Sequence, residues 1–306
     1  MNLVSLIVPC FNEEANIEPF HKAIVDVFKE LPEADFELMF VDDGSKDKTF
    51  AKIKEIHAQD RRVKCISFSR NFGKEAALFA GLRNATGDCA VIMDADLQHP
   101  PKTIIDMYKQ WKAGYEVVEG VKTDRGKEGL IHKLMTKIFY DRISKAVGMD
   151  MRNSSDFKLL DRKAIDTLAS LKERNTFFRA LSFWVGFNKT TVYYEVQERA
   201  SGTTKWSSKA LVRYAINNVL CFSYSPLQIV TTLGILFSLV GIAFGIDALY
   251  SWIKGNAISG YPSLLFIMCL GFGCIMFSLG IIGMYIAQIY DEVKQRPQYI
   301  VGRTIE

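Results

Sequence analysis

The stretch Cys89-Ala90-Val91-Ile92-Met93-Asp94-Ala95-Asp96-Leu97-Gln98 decides the fold of this chain. Five apolar residues in a row, followed at once by polar ones, predict a short buried strand. Two carboxylates follow it, one residue apart, at the sheet edge where open α/β sheets bind ligands. With a nearby amide oxygen they are suited to Mg²⁺ or Mn²⁺, ions that usually also contact phosphate groups. An ordinary acidic turn is the competing interpretation, because Asp is common in turns.

Strand and helix patterns alternate along the first 120 residues. Apolar runs predict strands and apolar residues at helical spacing predict helices. This order favours a doubly wound α/β fold with a mainly parallel sheet. The predicted strands are 3–8, 36–41, 63–67, 89–93 and 116–119, and the predicted helices are 14–31, 48–58 and 74–85.

Four of these strands end in a polar turn. The turns cover residues 9–14, 42–47, 69–74 and 94–98. A single turn of this kind is explained by helix capping, for which Ser45 and Asp47 are candidates. Four such turns in succession indicate a ligand crevice along one edge of the sheet.

Composition narrows the class of protein. A chain of 306 residues is long enough for two units, and 49% of the residues are hydrophobic, with the excess after about residue 226. The net charge of +4 does not suggest a partner nucleic acid. Six cysteines without a C-x-x-C pair predict reduced, buried thiols. No signal peptide is visible, so the N-terminal part is expected in the cytosol.

Two apolar stretches near the end, 229–252 and 262–289, each exceed the roughly 20 residues that a transmembrane helix needs. A short polar segment at 254–260 separates them, which predicts a hairpin in the lipid bilayer; a buried helical hairpin of a soluble core is the alternative. Positive residues mark the cytoplasmic face of a membrane. They flank the outer ends of the pair: Lys205, Lys209, Arg213, Lys294, Arg296 and Arg303. The expected division is a cytoplasmic domain over 1–225, two transmembrane helices over 226–290 and a cytoplasmic tail over 291–306.

Together these motifs resemble glycosyltransferase family 2, inverting enzymes with the GT-A fold that binds nucleotide sugars. Residues 8–14 (VPCFNEE) and 41–45 (VDDGS) are similar to its nucleotide-binding elements, and Asp94-Ala95-Asp96 is similar to its metal motif. Residues 69–75 (SRNFGKE), 94–98 (DADLQ) and 198–205 (ERASGTTK) resemble more narrowly the polyprenyl-phosphate glycosyltransferases, the bactoprenol glucosyltransferase and dolichol-phosphate mannose synthase group. The C-terminal hairpin and residues 296–299 also fit, so the resemblance covers essentially the whole chain.

The resemblance implies roles for individual residues. Asp94 would reach the sugar or ribose and the metal, directly or through water, with Asp96 and Gln98 as the nearer ligands of Mg²⁺ or Mn²⁺. His99 is expected at the surface or behind the ligands. The residues implied for the nucleoside are Pro9, Phe11, Glu13, Val41 and Asp43, with Lys74, Ala95 and Lys122 as further donor-binding residues. Phe11 as plain core is the alternative for that residue, and many relatives have an arginine where this chain has Lys122.

The implied reaction is attack of a polyprenyl (undecaprenyl) phosphate oxygen on the anomeric carbon of a nucleotide sugar. An alcohol acceptor needs a general base, whereas a phosphate is already anionic. Arg199 and Lys205 are expected to grip the phosphates, although both also fit as membrane-flanking positives. Asp156 is expected to orient the acceptor, bind a sugar hydroxyl or act as a base; a helix N-cap is its alternative.

Glucose from UDP-glucose is the expected donor, with UDP-GlcNAc, GDP-mannose or a UDP-amino-arabinose derivative as alternatives. A non-catalytic nucleotide-sugar-binding protein of the same fold is a further alternative, although the metal carboxylates that it would lose are present. The expected location is the cell inner membrane, and the expected product serves cell-envelope glycans such as lipopolysaccharide O-antigen. Basic amphipathic segments at 130–147 and 206–222 are expected near the membrane surface. Relatives suggest a homo-oligomer, which close helix packing at four glycines would permit: Gly271, Gly273, Gly280 and Gly283.

Overall fold

The computed structural model describes residues 1–123, 141, 144, 154–174, 176–195, 225–255 and 260–306. The chain divides into two compact units. The first consists of Met1–Arg213 together with Pro297–Glu306, and the second of Tyr214–Arg296. The predicted amphipathic segments at 130–147 and 206–222 lie outside the described residues, apart from Asp141 and Ser144.

In the described part of the first unit, eight strands form one sheet in the order β7-β5-β6-β4-β1-β2-β3-β8. Strands β1, β2, β3 and β4 pair in parallel, as do β5 and β7, whereas β6 and β8 pair antiparallel with their neighbours. The mainly parallel α/β sheet of the GT-A type is therefore confirmed. The strands are β1 (Asn2–Cys10), β2 (Ala34–Asp42), β3 (Val63–Phe68), β4 (Cys89–Ile92), β5 (Val117–Lys122), β6 (Lys158–Asp161), β7 (Lys189–Tyr194) and β8 (Val301–Ile305).

Helices cover the sheet and bury its apolar residues. In α1 the buried residues recur at helical spacing, and strands β1, β2 and β4 are nearly continuous apolar runs because both of their faces are covered. The described helices of this unit are α1 (Ile17–Lys29), α2 (Thr49–Gln59), α3 (Lys74–Asn84), α4 (Thr103–Lys112), α5 (Arg162–Ser170) and α6 (Phe178–Trp184). Every element predicted from residues 1–120 is present, with ends shifted by at most three residues.

The end of the chain returns to the sheet of the first unit. Strand β8 pairs antiparallel with β3, the Ser69 amide donates to the Ile300 carbonyl at 2.9 Å, and the Tyr299 ring stacks on Phe68 with centroids 4.8 Å apart. The segment 291–306, set apart in the sequence as a tail, thus contains a strand that covers an otherwise open sheet edge.

The second unit contains two long helices, α7 (Ser225–Ile253) and α8 (Tyr261–Val293). Their segments Pro226–Asp247 and Leu270–Val293 have mean hydropathies of 2.3 and 2.0, and both are long and apolar enough to cross a membrane. The buried share of the apolar stretch is 0% in the first helix and 6% in the second, whereas the core helices of a soluble protein are mostly buried. A Cβ on Gly271 would lie 3.1 Å from the Phe237 ring, so these helices pack closely there. At the other three predicted glycines a Cβ would meet nothing within 4 Å.

Candidate active site

The turns after β1 and β2 hold each other in place. The Asn12 amide donates to the Ser45 hydroxyl, and the Lys46 amide donates to the Asn12 side-chain oxygen, both at 2.9 Å. The Glu13 amide donates to the Thr49 hydroxyl at 2.9 Å. Asn12 adopts a φ of +54°, a left-handed conformation that Asn tolerates well. The two turns therefore form one braced wall at the sheet edge.

Asp43 links this wall to the turn after β3. Its carboxylate accepts hydrogen bonds from the amides of Phe72 at 2.6 Å and Gly73 at 2.9 Å. Burial raises the pKa of Asp43, and the two amides offset this only in part. Gly44 is needed beside it, because its φ is +69° and a Cβ would lie 2.5 Å from the Arg70 backbone. Asp43 thus fixes three turns in one arrangement.

The residues that are expected to bind the nucleoside differ in how deeply they are buried. Pro9, Phe11 and Glu13 are half-buried at the end of β1, and the Glu13 carboxylate accepts from Asn16 at 2.6 Å. Val41 is fully buried in the core. The nucleoside contacts themselves stay predictions.

Four charged side chains meet where α3 begins. The Lys74 ammonium lies 2.6 Å from Asp94 Oδ1 and 3.1 Å from Asp156 Oδ2. On the other side of Asp156, Arg179 donates from Nε to Oδ1 at 2.7 Å and from Nη2 to Oδ2 at 2.9 Å. The structure therefore brings the predicted residues Lys74, Asp94 and Asp156 together and adds Arg179 from helix α6.

Opposite charges keep this cluster ionised. Burial alone would raise the pKa values of Asp94 and Asp156, but Lys74, and Arg179 at Asp156, outweigh burial and hold both values below the ordinary range. Burial alone would lower the pKa of Lys74, but the two carboxylates raise it. At neutral pH the cluster contains two carboxylates and two cations.

The structure excludes the helix-cap interpretation of Asp156. Asp156 precedes strand β6 rather than a helix. The next helix, α5, is capped by Asp161, whose carboxylate accepts from the Lys163 amide at 3.0 Å. The Asp47 carboxylate accepts from the Thr49 amide at 3.0 Å, but the N-cap position of α2 is Lys48, so neither Ser45 nor Asp47 is the N-cap residue of this helix.

Asp96 and Gln98 lie in a tight turn directly after β4. The backbone N–H of Gln98 donates to Asp96 Oδ1 at 3.1 Å, and Leu97 between them has a φ of +59°. A bulky residue in this left-handed region is strained, and such strain concentrates at functional sites. Ala95 is buried beneath the turn, while Asp94, Asp96 and Gln98 are half-buried at its rim.

The donor atoms of this turn fit a magnesium or manganese ion. Within the described ranges, no three acidic, His or Cys side chains converge as a ready-made metal cage. Mg²⁺ does not require one, because it commonly binds through one or two carboxylates, waters and the phosphates of a substrate. Asp94, Asp96 and the Gln98 amide oxygen supply hard oxygen donors of this kind at the edge of the crevice.

His99 is buried, which excludes the surface position and leaves the other expected position, behind the ligands. It is 6% exposed, its ring stacks on Phe157 with centroids 4.8 Å apart, and it meets Tyr194 edge-on at 5.7 Å. Burial lowers the pKa of His99, and Asp94 offsets this only in part. Lys122, exposed at the end of β5, is near enough to lower that pKa further.

A buried ion pair, Lys158 with Glu119, lies next to the charged cluster of Lys74, Asp94, Asp156 and Arg179. The Lys158 ammonium lies 3.1 Å from Glu119 Oε1 and donates to the Ser182 hydroxyl at 2.7 Å, with both charged side chains almost fully buried. Burial lowers the pKa of Lys158 despite its partner. Sequence reasoning missed this pair and also Arg179, for which a lone arginine among the apolar residues 177–184 was the available signal. Arg199 and Lys205 lie outside the described residues, so their phosphate-binding roles stay predictions.

Comparison with known proteins identifies the family. The family model described as "Glycosyl transferase family 2" matches residues 5–169, which contain the four turns and the charged residues Lys74, Asp94 and Asp156. The chain belongs to glycosyltransferase family 2.

Similar proteins match over nearly the whole chain. An uncharacterized glycosyltransferase, YkcC, of Bacillus subtilis is 40% identical, covering 98% of this chain and 93% of its own. A prophage bactoprenol glucosyl transferase homolog of Escherichia coli is 39% identical, and the bactoprenol glucosyl transferase of Shigella phage SfII is 37% identical; both matches cover 98% of each chain. This glycosyltransferase family 2 protein is therefore an enzyme with a GT-A-type domain and two apolar C-terminal helices.

Proposed function

We propose that this glycosyltransferase is an inverting, metal-dependent enzyme that transfers glucose from UDP-glucose to a polyprenyl phosphate such as undecaprenyl phosphate. One of the similar proteins is named a bactoprenol glucosyl transferase and another is named a homolog of one, and both match 98% of this chain. The two apolar helices provide the means to stay at the bilayer, where a polyprenyl acceptor resides.

The state of Asp156 is the observation in the site that favours a phosphate acceptor. A general base works best when its pKa lies near the working pH. Lys74 and Arg179 instead hold the pKa of Asp156 far below neutrality. Both carboxylate oxygens of Asp156 already accept hydrogen bonds from Arg179, and one of them also pairs with Lys74. Asp156 is therefore a poor base. A phosphate needs none, because it is already ionised.

The reaction then depends on placement and charge. An oxygen of the acceptor phosphate attacks the anomeric carbon from the face opposite the diphosphate, the bond from that carbon to the diphosphate breaks, and its electron pair leaves with the nucleotide. Lys74 and Arg179 supply positive charge against the repulsion between the anions. When bound, a divalent ion supplies Lewis-acid stabilisation of the departing diphosphate, and Asp94, Asp96 and Gln98 would hold it.

The proposed location is the cell inner membrane, with two spanning helices and both termini in the cytoplasm. Strand β8, which follows α8, pairs with β3 of the first unit, so the chain leaves and re-enters the same sheet-containing unit. This connection favours a hairpin whose outer ends are on one side, and the flanking positive residues favour the cytoplasm. A homo-oligomer and a role in cell-envelope glycans, including O-antigen, are part of the same proposal.

The test is a transfer assay on the purified chain in detergent. Undecaprenyl phosphate is offered with radiolabelled UDP-glucose, UDP-GlcNAc, GDP-mannose or a UDP-amino-arabinose derivative, each with Mg²⁺ or Mn²⁺. We expect lipid-soluble label with UDP-glucose, and none when the lipid or the divalent ion is left out. Absence of lipid-soluble label with every donor would overturn the proposed function, and label with another donor alone would replace glucose by that sugar.

A further inference from the structure

The order of the strands gives the crevice a direction. Strands β1 and β2 carry the residues expected at the nucleoside, and β4 ends at Asp94 and Asp96. On the far side of β4 lie β6, β5 and β7. If the nucleoside of a donor binds beside β1 and β2 and its diphosphate binds at the end of β4, the sugar extends toward this far side, because the sugar is attached at the other end of the diphosphate.

Three buried rings line the far side. The His99 ring stacks on Phe157, and Tyr194 meets both rings edge-on, with centroids 5.7 Å and 5.4 Å away. His99 follows the metal turn, Phe157 follows Asp156, and Tyr194 ends β7 beside Lys122. The rings are therefore adjacent in space to the charged cluster although they are far apart in the sequence.

Two polar atoms of these rings are buried with no hydrogen bond to any residue that the structure describes. Among the described residues, His99 Nδ1 and the Tyr194 hydroxyl are buried without a hydrogen bond of normal geometry. Burial raises the pKa of Tyr194, and the Ser155 side chain lies close enough to offset part of that rise as a hydrogen bond would. An unmade hydrogen bond at a buried polar atom is costly, so such an atom marks a place where a ligand or water is expected. His99 directly follows Gln98 in the chain, and Tyr194 meets the His99 ring, which places both rings next to the metal turn.

We propose that His99 and Tyr194 form the subsite that binds hydroxyl groups of the transferred sugar and thereby helps to select the donor. An imidazole nitrogen and a phenol are uncharged hydrogen-bonding groups, matched to sugar hydroxyls, which donate and accept. The phosphate groups are expected to interact instead with the positive charges of Lys74 and Arg179. This inference rests on the proposed function, because it assumes a nucleotide sugar in the crevice.

The experiment compares binding of UDP-glucose and of UDP, each with Mg²⁺, by calorimetry on the full chain in detergent. His99→Phe keeps a flat ring but removes the nitrogen atoms, and Tyr194→Phe removes one oxygen. We expect each variant to bind UDP-glucose about fivefold to tenfold more weakly, with UDP binding unchanged, because only the sugar loses a hydrogen bond. Tyr193→Phe is the matched control, since Tyr193 is the neighbouring residue and is 68% exposed.

An unchanged ratio of the two affinities in both variants would overturn the subsite and indicate that water alone serves these atoms. Equal weakening of UDP and UDP-glucose would also overturn it, because the effect would then lie outside the sugar. If His99→Phe melts below the assay temperature, Tyr194→Phe decides. Failure of the transfer assay with wild-type protein removes the proposed function itself, whereas a wild type that transfers sugar beside variants with unchanged ratios removes only this subsite.

Discussion

The two halves of the sheet meet the crevice in different ways. On the β1, β2 and β3 side, polar groups are bound within the protein: Asp43 is held by two amides, and the first two turns are tied together. On the β6, β5 and β7 side, Asp156 lies between two cations, and His99 and Tyr194 have buried polar atoms that make no hydrogen bond within the described part of the chain. The β1, β2 and β3 side is a preformed scaffold. The β6, β5 and β7 side has charged groups and hydrogen-bonding atoms that are proposed to interact with substrates. Variants on the two sides are therefore expected to fail in different ways.

The largest effect is expected between the two halves, at the end of β4. Asp96→Ala should lower turnover by roughly a thousandfold or more, because it removes a charged oxygen from the proposed metal position without touching the core. Steady-state transfer rates and a melting curve of the same preparation measure this. Asp106→Ala is the control, since Asp106 lies on α4 with its side chain 63% exposed. Wild-type rates in Asp96→Ala would remove the metal argument.

The buried pair under the second half should matter for stability more than any exposed pair. Glu119→Gln removes the counter-ion of the buried Lys158 ammonium, and loss of one partner of a buried ion pair costs about 3 kcal/mol of unfolding free energy. Denaturant unfolding in detergent, followed by tryptophan fluorescence, gives the value. Glu30→Ala, which breaks the exposed pair with Lys102, should leave the midpoint unchanged. Equal midpoints for both variants would show that the buried pair does not support the site.

Arg179→Lys tests whether the charged half acts on the reaction. Lysine keeps the charge but cannot make both hydrogen bonds to Asp156, so kcat should fall by about tenfold to a hundredfold while UDP affinity stays unchanged. Arg62→Lys is matched to it, because Arg62 binds Asp60 with two hydrogen bonds just before β3, at the opposite end of that strand from the turn that leads to Lys74. A kcat equal to wild type in Arg179→Lys would reduce Arg179 to a structural role.

Asp43→Asn tests the scaffold half by the opposite readout. The amide replaces one accepting oxygen by a donor that faces a backbone N–H, so the turn before α3 should loosen. We expect KM for the donor to rise about tenfold and kcat to stay within about threefold. A large loss of kcat with KM unchanged would blur the distinction between the two halves.

The smallest effect is expected at the covered edge. Tyr299→Ala removes the ring that stacks on Phe68 and should lower stability by about 1 kcal/mol, with transfer rates unchanged at saturating donor. Thermal unfolding with and without the substitution measures it. A loss of several kcal/mol would instead mean that β8 is needed to hold the edge of the sheet.

The scaffold half was predictable from sequence and the charged half only in part. Strands β1 to β4 are local strand–turn–helix units, so apolar runs and polar turns locate them. Strand β6 has four residues and pairs antiparallel, and Arg179 reaches Asp156 from 23 positions further along the chain. No local pattern encodes such contacts. For His99 the sequence left two positions open, at the surface or behind the ligands, and tertiary packing against Phe157 decides for a buried one.

The most direct test of the central claim is a structure of the chain with UDP-glucose and Mn²⁺, with the ion located by its anomalous scattering. We expect a manganese peak bound by the acidic turn after β4 and by the diphosphate, with the nucleoside on the β1 and β2 side and the sugar toward β6. An empty crevice at saturating donor, or a diphosphate turned away from Asp94 and Asp96, would contradict it.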